Sequence, residues 1–195
     1  NTIGSSNTAV GNAALYSNTT GSRNTALGGF ANVSTDILTN ATAIGSNALV
    51  TSSNKVVIGD NSNDMVIGGY ANWSNLSDGR FKENIEANVP GLSFITKLRP
   101  VTYTINTQKL DEHIMQLMPA AMKTERMRTL SEYALSKDYI RTGFIAQEVE
   151  QVANAIGYTF DGVNRPKNIT DTYSLAYGEF VVPLVKAVQE QQKII

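Results

Sequence analysis

The chain has no cysteine and only one histidine among its 195 residues. The lack of cysteine excludes disulfides, thiolate zinc sites and cysteine nucleophiles. The lone His113 cannot build a histidine-rich metal site, and we expect no metal or cofactor. No apolar run approaches the roughly 20 residues of a membrane span. The 16 basic residues nearly balance the 17 acidic ones, so we expect neither nucleic acid nor a membrane as a partner.

Charge is also scarce over the first 72 residues. The charged residues there are Arg23, Asp36, Lys55, Asp60 and Asp64, and the other 28 lie beyond. Such different compositions predict two regions, residues 1–72 and residues 77–195, joined by a junction at 73–76. The chain opens on Asn1 without a signal-peptide pattern, and we expect it to be part of a longer protein.

A short motif recurs in the first region, in which small or β-branched residues lead to Ile, Val or Leu and then glycine. Three full copies end at Gly11, Gly28 and Gly45, and degenerate copies end at Gly59 and Gly68, with spacings of 17, 17, 14 and 9 residues. Such a period indicates a solenoid or an array. Each coil has about one large apolar residue, so coils must stack and we expect chains to associate. The alternative is a flexible linker rich in Gly, Ser and Asn.

The motif resembles the left-handed β-roll of YadA-type adhesin heads, in which three chains pack as a trimer, and the repeats of phage tail fibres. The resemblance implies a trimeric left-handed β-roll or β-solenoid. The usual coil is shorter than 17 residues, so we expect insertions in some turns, with Phe30–Leu38 as one candidate.

The second region has the pattern of an ordinary α+β domain. Strands are predicted at Pro100–Asn106 and Ile140–Ile145. A helix is predicted over residues 109–136, broken near Pro119, and another from Ala146 to Ala153 with Gly157 in its C-cap. Residues 161–171 are predicted to form a loop. Four methionines of the long helix are expected to fill core or interface gaps: Met115, Met118, Met122 and Met127.

The final helix, from about Glu179, carries apolar residues at alternating spacings of three and four. This spacing predicts a coiled-coil seam between chains, with Gln191 as a polar layer. An amphipathic helix packed on its own domain is the alternative. The predicted seam residues are Val181, Leu184, Val188 and Ile195.

Ser77 and Lys82 lie five residues apart where the composition changes. A serine hydroxyl is a poor nucleophile until a base takes its proton, and a desolvated lysine can be that base. Five residues place two side chains about 140° apart on a helix and on opposite faces of a strand. The pair therefore meets only if the backbone turns, which Gly79 would permit, or if the lysine comes from a neighbouring chain. An ordinary turn in which Ser77 or Asp78 caps a helix is the alternative.

A wider, ordered pattern surrounds this pair. The run from Leu76 to Ile85 resembles the opening of the intramolecular chaperone domains of phage tail spikes and fibres. That group includes endosialidase C-terminal domains and is related to the self-cleaving region of the myelin regulatory factor. Further segments resemble the family in order: residues 98–103 (LRPVTY), residues 143–149 (GFIAQEV), Tyr173–Leu175 and the closing helix. Residues 108–137 match nothing and are interpreted as a variable insertion.

The resemblance implies a domain that trimerises, templates the upstream β-structured fibre and then cuts itself off. By residue, it implies Ser77 as the nucleophile and Lys82 as the general base, with Asp78 and Arg80 in positioning roles. Attack on the Leu76 carbonyl gives a five-membered ring, which favours cleavage at Leu76–Ser77. Cleavage after Ser77 stays open if the attacking group comes from another chain.

This interpretation places the protein in a virion tail fibre or spike, as a homotrimer whose full fibre meets a host-surface receptor. A bacterial cell surface is the alternative location. The competing function is a fibre tip or adhesin trimer that folds, stays attached and binds a receptor.

Overall fold

The computed structural model describes residues 1–60, 67–68 and 74–195. The predicted copy that ends at Gly68, and the start of the predicted junction, lie partly outside these ranges. Across the described ranges, no helix combines the length and apolar composition that crossing a bilayer requires.

The elements are short, and the strands are the shortest. The strands are β1 Thr8–Val10, β2 Thr25–Leu27, β3 Asn32–Val33, β4 Thr42–Ile44, β5 Leu49–Val50, β6 Val56–Ile58, β7 Val101–Tyr103, β8 Arg141–Gly143, β9 Val163–Asn164 and β10 Ser174–Leu175. The α-helices are α1 Leu92–Ile95, α2 Thr107–Ile114, α3 Ala120–Arg126, α4 Leu130–Ser136, α5 Ala146–Ala155 and α6 Val181–Gln192. Single 3₁₀ turns cover Gly79–Phe81 and Tyr177–Phe180.

The chain forms two compact units, and the division differs from the predicted one. The first unit comprises the described parts of residues 1–67 together with 102–141 and 166–172, and the second comprises those of 68–101 with 142–165 and 173–195. The composition break near residue 72 therefore does not mark the whole boundary, because later segments pack with the repeat.

The repeat forms a ladder of parallel strands in the order β1-β2-β4-β6. Each strand pairs residue for residue with its counterpart in the next coil, so Thr25 lies opposite Thr42. A second ladder joins β3 to β5 in parallel. The stretch Phe30–Leu38, predicted as an insertion, contains β3 and is thus a regular part of the coil.

The recurring glycine closes each coil in a left-handed conformation. Gly11, Gly28, Gly45 and Gly59 have φ angles of 128°, 134°, 109° and 81°. A Cβ on Gly28 would lie 2.6 Å from the carbonyl of Gly45 in the next coil. Only glycine meets both demands at this position, which explains the period in the sequence.

The interior of the ladder combines five alanines with four larger aliphatic residues: Ala26, Ala31, Ala41, Ala43 and Ala48 with Leu15, Val33, Leu38 and Val50. The large apolar residue before the glycine is exposed in three of the coils. Val10 is 59% exposed, Leu27 40% and Ile58 38%. Burial inside one chain therefore leaves part of the repeat's apolar surface uncovered.

Residues 102–141, which include the segment 108–137 that was interpreted as a variable insertion, pack on the repeat within the first unit. The long predicted helix is three helices, α2, α3 and α4. Pro119 marks one break as predicted, at the N-cap of α3. Met115, Met118 and Met122 are buried together with Leu49, which fits the gap-filling role predicted for them, whereas Met127 is exposed.

A buried carboxylate ties residues 166–172 to the repeat. Asp171 accepts hydrogen bonds from Lys55 Nζ at 2.8 Å and from Thr51 Oγ1 at 2.6 Å. Burial raises the pKa of Asp171, but these hydrogen bonds, with those from the backbone amides of Lys167 and Thr172, outweigh it and hold the pKa well below its ordinary value. His113 Nε2 lies 3.1 Å from the Asp171 carbonyl oxygen.

The second unit has an aromatic core. Phe94 is fully buried and contacts the rings of Tyr158, Phe160 and Phe180. Helix α5 ends in a Schellman motif as predicted: Gly157 has φ 68° and the Tyr158 amide bonds the Ala153 carbonyl at 2.9 Å.

Helix α6 packs closely on the start of α1. The carboxylate of Glu190 accepts a hydrogen bond from the Leu92 amide at 2.7 Å. A Cβ on Gly91 would lie 2.6 Å from Glu190 Oε2 and 2.7 Å from the Ala187 backbone nitrogen. This approach positions α6, whose Pro183 and Ala187 are buried.

We predict that Gly91→Ala destabilises the protein by about 1–3 kcal/mol, because a methyl group there must push α6 away from α1. Urea denaturation measures this. Gly178→Ala is the matched control in the same unit, since a Cβ there meets nothing within 4 Å, and its effect should stay within about 0.5 kcal/mol. Equal effects of the two changes would contradict the packing argument.

We predict that Asp171→Asn destabilises the chain by about 2 kcal/mol at pH 7 through loss of charge-assisted hydrogen bonds. A carboxylate with a lowered pKa stabilises the fold above its unfolded pKa of about 3.9, and that contribution is lost as the pH falls through the folded pKa. The difference between variant and wild type should therefore shrink below about pH 4. Urea midpoints at several pH values test this, with exposed Asp36→Asn as the control. A difference independent of pH would contradict it.

Candidate active site

One turn of 3₁₀ helix brings Ser77 and Lys82 together. Lys82 Nζ lies 2.9 Å from Ser77 Oγ and donates a hydrogen bond to it. The Phe81 amide bonds the Asp78 carbonyl at 3.1 Å, and the Lys82 amide bonds the Gly79 carbonyl at 3.2 Å. The backbone thus turns between the two side chains, within one chain, as the five-residue spacing requires.

The turn depends on Asp78 rather than on a special glycine conformation. Asp78 is the N-cap, and its carboxylate accepts the Arg80 amide hydrogen bond at 2.9 Å. Gly79 is absent from the residues with positive φ, and a Cβ there would meet nothing within 4 Å. The turn was predicted to depend on Gly79, but the structure shows that the N-cap residue Asp78 starts it.

Asp78 also forms an ion pair with Arg80. The guanidinium Nη2 lies 2.6 Å from Asp78 Oδ2, and Nε lies 3.0 Å from the same oxygen. The side-chain hydrogen bond from Arg80, followed by its backbone hydrogen bond, lowers the pKa of Asp78. The carboxylate therefore stays ionised at neutral pH and keeps the amide that starts the turn in place.

The site is open to solvent in the single chain. Ser77 and Lys82 are exposed, and so are three apolar side chains beside them, Leu76, Phe81 and Ile85, at 84%, 70% and 76%. A surface that covered these apolar groups would also remove water from the hydroxyl and the amine.

Two other motif segments meet elsewhere in the second unit. Arg99 forms a bidentate pair with Glu148, with Nη2–Oε1 at 2.5 Å and Nε–Oε2 at 3.1 Å. These residues belong to the segments 98–103 and 143–149, so the pair accounts for why the two occur together. The arrangement is structural, since it joins the start of β7 to the first turn of α5.

The predicted seam residues lie on the surface of the single chain. Val181, Leu184 and Val188 of α6 are 56%, 46% and 65% exposed. Ile195 lies beyond the last helical residue, Gln192, because the chain leaves the helix in a turn at Lys193. Exposure does not single out this stripe, because Val182 and Val185 on the same helix are 57% and 52% exposed, and the coiled-coil seam stays a prediction.

Comparison with known families identifies the segment that begins at the serine. Residues 77–158 match the family Peptidase_S74, described as chaperone of endosialidase. This segment is an endosialidase-type chaperone domain. The comparisons with curated proteins and with solved structures found no match.

The description of the family supports a chaperone role for the segment, and its name is that of a peptidase family. The match begins at Ser77, which the sequence resemblance implied as the nucleophile. It continues through Lys82, Arg99 and Glu148, so the turn and the Arg99–Glu148 pair both belong to the chaperone domain.

If the segment cleaves itself, we predict that Asp78→Ala slows the reaction roughly fivefold. The change removes an N-cap worth about 1 kcal/mol and the ion pair, so the turn that joins Ser77 to Lys82 is populated less. Asp78→Asn keeps an oxygen for the cap and should stay within about twofold of wild type. Quantified fragments on a gel give both rates. A normal rate in Asp78→Ala would show that the cap does not set the turn.

Proposed function

We propose that the chain is an intramolecular chaperone that trimerises, templates folding of its upstream β-structured repeat, and then releases itself by cleavage between Leu76 and Ser77. The observation that carries the proposal is the 2.9 Å contact between Lys82 Nζ and Ser77 Oγ at the first residues of the family segment.

The chemistry requires a neutral Lys82 amine that takes the proton of the Ser77 hydroxyl. Oγ then attacks the carbonyl carbon of Leu76 through a five-membered ring. The C–N bond breaks as the peptide nitrogen takes the proton held by Lys82 and becomes the amine of Ser77. Water hydrolyses the resulting ester, which frees the Leu76 carboxylate and restores the hydroxyl. The contact within one chain supports Lys82 acting in cis.

Assembly supplies what the single chain lacks. Removal from water favours the neutral amine, but both side chains are exposed before association. Neighbouring chains that cover Leu76, Phe81 and Ile85 would desolvate the pair and make cleavage follow assembly. Cleavage would therefore occur only after three chains have assembled.

Two apolar surfaces support a homotrimer. The first is the outward stripe of the repeat, formed by residues that lie in register on β1, β2, β4 and β6: Val10, Leu27, Ile44 and Ile58. The second is the stripe of Val181, Leu184 and Val188 on α6, with the spacing of a coiled-coil seam. Parallel coils with a small-residue interior and an apolar outer stripe suit a β-roll of three chains.

The proposed setting is a tail fibre or spike of a phage, with the chaperone segment released after assembly and the fibre facing a host receptor. A fibre tip that folds and stays attached is the competing function. The presence of Ser77 and Lys82 in hydrogen-bond contact favours the cleaving form.

We predict that Ser77→Ala abolishes cleavage and that Lys82→Ala slows it at least about 100-fold, because the serine loses its base. Lys82→Arg should also fail, since a guanidinium keeps its proton. Intact mass spectrometry after expression distinguishes one product from two and reads the cut bond. Exposed Lys97→Ala is the control and should cleave normally. Normal cleavage by Lys82→Arg would show that lysine is not the base.

We predict that residues 1–76 expressed alone aggregate or stay unfolded, because similar coils offer several registers and no local feature chooses one. The same fragment released from the full chain should be trimeric by light scattering and resist heating, since its stacked coils are kinetically trapped. If the fragment reaches the same trimer unaided, the chaperone role is wrong.

A further inference from the structure

Phe30 and Asn47 occupy the same place in two successive coils. They lie 17 residues apart, each three residues after a strand of the main ladder, and their φ angles are 58° and 59°. Their side chains have nothing in common, but their backbones repeat the same left-handed conformation. Their carbonyl oxygens are therefore equivalent points on adjacent coils.

A single side chain bonds both carbonyls. Arg126, at the end of α3, donates from Nη1 to the Phe30 carbonyl and from Nη2 to the Asn47 carbonyl, the latter at 2.5 Å. The guanidinium is planar and holds its donors at a fixed separation. It can therefore satisfy both carbonyls only when the two coils are stacked at the correct spacing and in register.

A short segment, Asn168–Thr170, bridges the same two coils at another equivalent pair. Thr170 Oγ1 lies 2.8 Å from Ser34 Oγ and donates its own proton to Asn168 Oδ1 at 2.8 Å. Ser34 and Thr51 are again 17 residues apart. Asn168 Nδ2 donates to the Thr51 carbonyl at 2.7 Å. Thr170 and Ser34 are completely buried, so these contacts are made without water.

We propose that Arg126 and the segment Asn168–Thr170 form a two-point gauge that holds adjacent coils of the chain's own repeat only when they stack in the 17-residue register. The inference rests on the proposed chaperone function and names the residues through which the upstream fold would be checked.

A shift in the register of the coils would cost free energy at both contacts. A slip displaces one coil by about 3.3 Å per residue along the strand, which takes the second carbonyl out of hydrogen-bond range. Arg126 would then remain in a site where burial lowers its pKa to about 10 against the attraction of Asp111 and Asp60. A partly buried cation that loses both hydrogen-bond acceptors is disfavoured. The same slip would separate Ser34 from Thr170 or Thr51 from Asn168, so that a polar group there loses its partner.

The gauge recognises backbone geometry more than sequence. Arg126 contacts carbonyl oxygens, which every residue has, and this explains how Phe30 and Asn47 can occupy equivalent positions. Packing around it is adaptable as well, since Met115, Met118 and Met122 form the apolar part of the contact. A contact of this kind can accept coils of differing sequence while rejecting coils of the wrong register.

The test measures register directly with disulfides, for which a chain without cysteine is well suited. In a Ser77→Ala background, Thr25→Cys with Thr42→Cys reports the native register, since these residues are strand partners. Thr25→Cys with Ile44→Cys reports a slip of two residues, because this diagonal pair is beyond disulfide reach in the native ladder. The intrachain disulfides are mapped by mass spectrometry in soluble and insoluble material counted together.

We expect Arg126→Gln combined with Thr170→Val to lower the ratio of native to slipped disulfide about tenfold or more, since several hydrogen bonds are lost, two of them from a charged donor. Arg126→Lys should fail in the same way, because lysine lacks the fork. Lys123→Gln on the same helix is the control: the Lys123 ammonium bonds the Gln116 carbonyl, outside the repeat, and its loss should leave the ratio unchanged.

An unchanged ratio in the Arg126 and Thr170 variants would overturn the gauge. If the ratio stays native in those variants but collapses in a chain that stops after Leu76, the chaperone function stands and the gauge alone is wrong. If the shortened chain also keeps the native register, the chaperone function itself is wrong.

Discussion

Parallel hydrogen bonding between successive coils is the constraint on which the repeat depends. Alanine makes up about half of the interior, beside Leu15, Val33, Leu38 and Val50, so at about 25 cal/mol per Å² the few large side chains of one coil contribute only modest burial. Stability must come from backbone pairing and from neighbouring coils, as in other repeat proteins. The recurring features of the sequence serve that pairing. The glycines let coils approach, and Asn24 links three coils by accepting from the Ala41 amide while its own amide donates to Asn7.

The same constraint explains why later parts of the chain pack on the repeat. Residues 102–141 and 166–172 follow Leu76–Ser77 in sequence, yet they belong to the unit that contains the coils. While the peptide bond is intact, these segments act at a high effective concentration. Proposed cleavage would remove that advantage and leave non-covalent contacts alone: methionine packing, hydrogen bonds to carbonyls and the Lys55–Asp171 pair. Each of these contacts is reversible. The proposed function requires this, because the segments must first guide folding and then dissociate.

The sequence predicted the repeat and the contact between Ser77 and Lys82 better than it predicted their surroundings. The glycine period arises because each coil needs a residue with positive φ at the same position, so the sequence alone shows it. The spacing of Ser77 and Lys82 predicted that a turn must lie between them, but the turn was assigned to Gly79, although Asp78 and its hydrogen bond to the Arg80 amide form it. The resemblance had already drawn attention to Asp78 and Arg80, and the capping pattern was the available signal.

Other features could not be predicted because they depend on contacts between distant segments. The sequence of residues 108–137 does not indicate that Arg126 bonds two carbonyls 96 and 79 residues away. Every residue has a backbone carbonyl, so no residue type marks these acceptors. The sequence around Asp171 has the composition of an ordinary polar loop. The role of Asp171 depends on its contacts with Lys55 and Thr51, which are distant in sequence. The outward direction of Val10, Leu27 and Ile58 was also missed, because a strand of three residues is too short to show which face is buried.

The state of the reacting pair in the single chain connects these observations to function. The distance between Ser77 and Lys82 is already suited to proton transfer, whereas both side chains are exposed to water. Geometry is therefore set by a local turn within one chain, and the environment that activates a lysine base is left to association. Because the geometry of the pair and its removal from water arise at different stages, assembly would precede cleavage in the proposed mechanism. A chain that has not assembled would keep its chaperone segment, because Ser77 would lack an effective base. Such a base would form only once neighbouring chains cover Leu76, Phe81 and Ile85.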